Sequence, residues 1–145
     1  METFEFLWRL SDARIVEAIR RAESQTSGEI RVYISDSEVD DPLLAARARF
    51  TGMGMAQTRE RNGVLIFVAP KSQTFAVIGD EGVHARCGEA FWQSVSEEMR
   101  RHFTDDAMTD GIVQAISTAG ELLGRHFPRL DDDQNELPDH VERGR

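Results

Sequence analysis

The chain has one cysteine, Cys87, and one lysine, Lys71, among its 145 residues. A lone cysteine closes no internal bridge, so a disulfide-stapled secreted scaffold is excluded. No apolar run exceeds Val64–Ala69, far short of the ~20 residues a membrane-spanning helix needs. The start, Met1-Glu2-Thr3-Phe4-Glu5, has neither the basic n-region nor the apolar h-region of a signal peptide, and a cytoplasmic location is the expectation. Positive charge is also scarce: 17 Lys and Arg face 26 Asp and Glu, for a net charge of -9. Phosphate backbones demand clustered positive charge, so nucleic acid and anionic membranes are not expected as partners. Cations, or a basic surface on another protein, are electrostatically easier. There is no glycine-rich dinucleotide fingerprint, P-loop, Gly-x-Ser-x-Gly or His-Glu-x-x-His. The corresponding nucleotide, hydrolase and zinc-protease chemistries lack their usual signatures.

What is present reads as one globular domain. With 40% hydrophobic and 30% charged residues, a chain of this length buries roughly two thirds of its unfolded surface without a metal or disulfide staple. Residues 1–128 read as a single α/β domain and 129–145 as an acidic C-terminal tail or surface wrap, with six acids and three arginines and no periodic apolar pattern.

Ser11-Asp12 is an N-cap candidate, followed by Ile15, Ala18, Ile19 and Ala22 at helical spacing. Gly28 suits the left-handed position that ends such a helix. Ile30, Val32 and Ile34 alternate with Glu29, Arg31, Tyr33 and Ser35, the period of a strand with one buried face. Asp41-Pro42 opens a second helix, with Pro at its first position and a core stripe of Leu43, Ala46, Phe50 and Met53. Asn62-Gly63 leads into Val64–Ala69, apolar on both faces and therefore a central strand. The link Pro70-Lys71-Ser72-Gln73 is too short for a parallel crossover, so Thr74–Ile78 returns antiparallel. Cys87, Phe91, Val95, Met99 and Phe103 form a ladder that predicts a third helix. Thr104-Asp105-Asp106 would cap a fourth, with Ile112, Ala115, Ile116, Ala119, Leu122 and Leu123 inside. The order α-β-α-β-β-α-α predicts a small mixed sheet flanked by helices.

This topology places residues. Parallel first and second strands bring Glu29 and Asn62 to one pole, and the hairpin returns Asp80 and Glu81 to it. Arg59, Arg61 and His84 arrive there as well. Convergence from separate segments is what a site requires, and carboxylate oxygens suit calcium or magnesium. The plainer alternative pairs Glu29 with Arg61 or Arg31 as a surface ion pair and makes Asp80 the cap of the following helix. Ser35, Asp36 and Ser37, at the carboxyl end of the first strand, rank second as a site. Asp131, Asp133, Asn135, Asp139 and Glu142 match a calcium-loop spacing. That template requires Gly where Glu136 stands, so a solvated acidic tail accounts for them better. Cys87 heads an apolar ladder and reads as a core thiol; His102 and His126 lie near helix C-termini, where the dipole explains them.

Thr26-Ser27-Gly28-Glu29-Ile30-Arg31-Val32, Arg61-Asn62-Gly63-Val64-Leu65-Ile66, Gly79-Asp80-x-Gly82-Val83-His84, Phe91-Trp92 and Asn135-Glu136-Leu137-Pro138-Asp139 together resemble the TPM-domain family, in its small soluble bacterial branch. The resemblance runs from about Ser11 to Asp139. It implies a Rossmann-like α/β/α sandwich. It also brings in calcium or magnesium binding and acid phosphatase activity, both described within the family. The chain departs from the secreted branch in two places. Phe6-Leu7-Trp8 occupies a region where that branch has an Asp, and His84 stands in place of a Glu.

Two functions from different classes follow. In the first, a non-catalytic module takes a divalent cation at Glu29, Asp80 and Glu81, with Asp110 from the fourth helix, and docks on an unidentified protein partner. Arg61, Asn62 and His84 would complete its ligand-binding surface. In the second, a metal-assisted phosphatase uses Arg61 to steady the phosphoryl charge and His84 as general acid or base. No obvious nucleophile lies at the pole, which weighs against the second.

Overall fold

The computed structural model describes residues 11–102, 107–129 and 141–144, with the backbone alone at 142 and 143. Ser11 caps α1 (Asp12–Glu23), its Oγ accepting the Arg14 N–H at 3.4 Å. Asp12 in the first turn and Arg20 and Arg21 in the last complement the helix dipole. Strand β1 (Glu29–Ser35) leads to α2 (Pro42–Gly52), where Asp41 Oδ1 accepts the Leu44 N–H at 3.1 Å. Strand β2 (Gly63–Ala69) turns through Pro70–Ser72 into β3 (Thr74–Gly79). Three helices follow, α3 (Glu81–Cys87), α4 (Glu89–Arg101) and α5 (Met108–His126), and then a short strand β4 (Val141–Gly144).

The sheet order is β3-β2-β1-β4, with β1 parallel to β2 and β4 and β3 antiparallel to β2. The parallel neighbours and the hairpin are as the sequence predicts. On one face, α1, α3, α4 and α5 bury a core that includes Ile15, Ile19, Val32, Ile66, Phe91, Val95 and Ile116. Each fully buried Ile, Val or Phe contributes roughly 1.5–3 kcal/mol. On the other face α2 packs Ala46 and Phe50 over Leu65, Phe67 and Ala76. The result is a three-layer α/β/α sandwich.

Helices α1 and α5 lie side by side and point the same way. The Ser11 N–H donates to Thr109 Oγ1 at one end, and the Thr26 hydroxyl donates to the Phe127 carbonyl at the other. Small residues let them close up: a Cβ on Gly120 would lie 2.6 Å from Ala22 Cβ.

Several expectations change. Gly28 does not end α1 in a left-handed turn; Ser24 caps that helix in the right-handed region. Gly28 instead lets the chain pass close to Leu123 and the Asn62 carbonyl. Leu43 is not core: it is 44% exposed and Leu44 is 65% exposed, while Ala46 and Phe50 carry the burial. The ladder from Cys87 to Met99 spans two helices. They break at Gly88, whose φ of 72° with ψ of -169° is a combination essentially confined to glycine. Strand β1 is buried on both faces, Arg31 included, because helices pack over both faces of the sheet; β4 closes its outer edge at Val32–Ser35. Part of the stretch read as a tail is therefore sheet edge: Val141 to Gly144 pair in parallel with Val32 to Ser35. Phe103, the capping run 104–106 and the acids at 131–139 lie outside the described residues.

Candidate functional site

The pole at the start of β1 and β2 is assembled as the topology predicts. Glu29 lies opposite Gly63 and Val64 opposite Gly79, and the Asp80 N–H donates to the Gly63 carbonyl at 3.0 Å. The approach to β2 is a tight turn in which the Arg61 N–H donates to the Thr58 carbonyl and the Asn62 N–H to Thr58 Oγ1, both at 3.2 Å. That turn holds Arg61 at a φ of 54°, an uncommon conformation for a side-chain-bearing residue. It directs the guanidinium at the loop following β3.

There the guanidinium meets Asp80 fork to fork. Nε donates to Oδ2 at 2.9 Å and Nη2 to Oδ1 at 3.2 Å, while Nη1 is 3.4 Å from Glu81 Oε1. Asp80 is 7% exposed, and its Oδ1 also accepts the Glu81 N–H at 2.7 Å, capping α3. The carboxylate thus serves both as helix cap and as partner of Arg61. The hydrogen bond and charge of Asp80, with the charge of Glu81 behind them, raise the Arg61 pKa above its ordinary value. The backbone is locked as well. The Gly82 N–H donates to the Arg61 carbonyl at 2.9 Å. A Cβ on Gly82 would come within 2.4 Å of the Glu60 carbonyl oxygen and 2.5 Å of that of Arg61.

The other predicted site residues separate from this cluster. Asn62 is buried and turns its amide to Ser27 Oγ at 3.2 Å and Glu60 Oε2 at 3.4 Å; Ser27 also donates to Glu60 at 2.6 Å. Glu60 and Ser27 are participants the sequence reading passed over, although they flank the residues it selected. His84 is exposed one turn into α3. Its Nδ1 accepts the Trp92 indole N–H at 3.2 Å, with ring centroids 4.7 Å apart. Glu29 is 2% exposed on β1, two strand spacings, or ~10 Å, across the sheet from Asp80. Asp110 is not at this pole: it pairs with Arg14 at the N-terminal ends of α1 and α5. The chain runs the 13 residues of α4, ~20 Å of helix, away from Asp80 before α5 begins.

These residues do not fit a divalent cation as they stand. Both Asp80 oxygens face Arg61, Glu29 is buried apart and Asp110 is at the far end. Among the described residues no group of three or more His, Cys, Asp or Glu is placed to hold a metal ion. Cys87 packs partly buried against the main core. Burial pushes its thiol pKa up, opposed by the charge of Arg86, which suits a core thiol more than a nucleophile. A groove of about 550 Å³ runs between α1 and α5, away from the pole. Of the charged residues along it, Arg14 is tied to Asp110 and Arg21 to Glu17.

The family model described as the TPM domain matches residues 5–122. The chain belongs to the TPM-domain family. Among solved structures, the BA42 protein of the psychrophilic bacterium Bizionia argentinensis is 36% identical, with a TM-score of 0.86 over 93% of this chain and 95% of that one. An N-terminal domain from P. gingivalis aligns with a TM-score of 0.65 at 18% identity, covering 81% of this chain and 78% of its own. The N-terminal domain of cg2496 from Corynebacterium glutamicum aligns at 0.60 and 12% identity, covering 89% and 75%. These last two share the fold alone. Comparison with curated proteins returns no match. Within this TPM domain, no helix among the described residues is long and apolar enough to cross a membrane.

Proposed function

We propose that this TPM domain works by binding and not by turnover, as a module that docks on a protein with a basic surface. One observation carries the reading: the guanidinium that phosphoryl transfer would recruit is already engaged. Arg61, the candidate to steady a phosphoryl oxygen, is forked onto Asp80. His84, the candidate acid or base, lies on the Trp92 side of α3, its Nδ1 accepting the indole N–H, and not on Arg61. A phosphatase preorganises donors toward the charge that develops in its transition state, whereas here the Arg61 donors are spent on Asp80 and Glu81. The net charge of -9 favours a basic docking surface and steers association with it. Calcium or magnesium, brought in by the family resemblance, would have to take Asp80 and Glu81 from Arg61 and is not part of this reading.

The test is hydrolysis of p-nitrophenyl phosphate by the full chain, with calcium, with magnesium and with chelator. The expected result is no turnover above background, unchanged in Arg61→Ala and His84→Ala. Turnover that falls about 100-fold or more in Arg61→Ala, the usual loss on removing a charge-stabilising donor, would instead establish an enzyme.

A further inference from the structure

The mismatch between the expected cation and the observed donors is itself informative. We infer that Arg61 is the resident cation of this pole: its guanidinium occupies the place at Asp80 and Glu81 that a divalent ion would need, and it orders residues 80–82 without a metal. This deepens the binding reading above by stating what regulates the same pole.

The geometry is that of a counter-ion seat. All three guanidinium nitrogens face carboxylate oxygens, two on Asp80 and one on Glu81, at 2.9, 3.2 and 3.4 Å. A planar fork on a carboxylate is the arrangement in which arginine competes best with other cations, because its two parallel bonds fix distance and angle together. The backbone supplies a second, independent constraint. Arg61 sits at a φ of 54°, and its carbonyl receives the Gly82 N–H. At Gly82 the carbonyls of Glu60 and Arg61 leave no room for a Cβ. The side-chain fork and the main-chain bond therefore tie the same two segments, the turn before β2 and the first turn of α3. A divalent cation at Asp80 would have to displace a ligand already held from two directions, and Arg61 repels it until it does.

The prediction runs opposite to ordinary mutagenesis, since removing a charge should create a cation site. Calcium chloride, then magnesium chloride, is titrated by calorimetry into the chelator-stripped full chain as wild type, Arg61→Gly, Arg61→Lys and Arg61→Gly/Asp80→Asn. Glycine is chosen because it adopts the φ at position 61 without strain. Wild type should show no saturable heat and no thermal shift at millimolar calcium. Arg61→Gly should gain saturable binding at least about tenfold tighter than any residual wild-type affinity, with a calcium-dependent rise in melting temperature. Arg61→Lys, which keeps the charge and loses the fork, should fall between them, and the double variant should lose the gain. Amide exchange at Gly82 should speed up in calcium-free Arg61→Gly and slow again when calcium is added.

Equal calcium affinity in wild type and Arg61→Gly would overturn the inference, because Arg61 would then not compete. A gain that survives Asp80→Asn would also overturn it by moving the site elsewhere. Should Arg61→Gly fail to fold, Arg61→Lys carries the same test: tighter binding than wild type supports the inference, and unchanged affinity contradicts it. Failure of the binding reading shows separately, as phosphomonoester turnover, which none of these affinities reports.

Discussion

Two Asp–Arg pairs stand at opposite poles of this domain, and they illustrate how little the residue types alone decide. Asp110 and Arg14 meet through one oxygen and one nitrogen, with both side chains about half exposed at 51% and 55%. Asp80 and Arg61 meet through two bonds, with the acid 7% exposed, capping a helix and flanked by a locked glycine. The first is a solvated surface pair, screened by salt and constrained by little else. The second fixes the route of the chain between β3 and α3. Burial, bond count and backbone coupling set the weight of an ion pair; charge alone does not.

Substitutions can break this contrast, beginning where the backbone is tightest. Gly82→Ala forces a methyl group into two carbonyl oxygens that belong to the turn before β2. It should cost about 2–4 kcal/mol, read as a fall of several degrees in melting temperature. Asp80→Ala removes the cap of α3, for which a loss of about 1–2 kcal/mol is expected; denaturant titration would measure it. Asp110→Ala should stay within ~0.5 kcal/mol of wild type, and its small effect should vanish at high salt. A larger effect at Asp110 than at Asp80 would reverse the comparison.

The sequence made the architecture legible wherever pattern or length left a single choice. The four-residue link after Ala69 allowed only a hairpin, and the isoleucine and alanine spacing of α1 allowed only one inward face. Two features escaped. Val141-Glu142-Arg143-Gly144 carries one apolar residue, too little for a strand signal, because its pairing comes from the exposed edge of β1. Arg31 reads as surface because β1 alternates polar with apolar residues, yet it is buried because helices cover both faces of the sheet. The apolar ladder through Cys87, Phe91, Val95 and Met99 conceals the break at Gly88, since both helices bury the same side.

For the site, topology was enough to bring Arg61, Asp80 and Glu81 to one pole. It was not enough to show that Arg61 chooses Asp80 over Glu29, which depends on the left-handed turn at position 61 and on one strand's width. The direction of α5 was recoverable from the length of the helix before it, and that removes Asp110 from the cluster.

The most direct test of the account is the paired calcium titration of wild type and Arg61→Gly at the same salt. The account predicts saturable binding in the variant and none at millimolar calcium in wild type, with the gain abolished by Asp80→Asn. Equal binding by the two proteins would contradict the claim that an arginine holds the cation position of this pole.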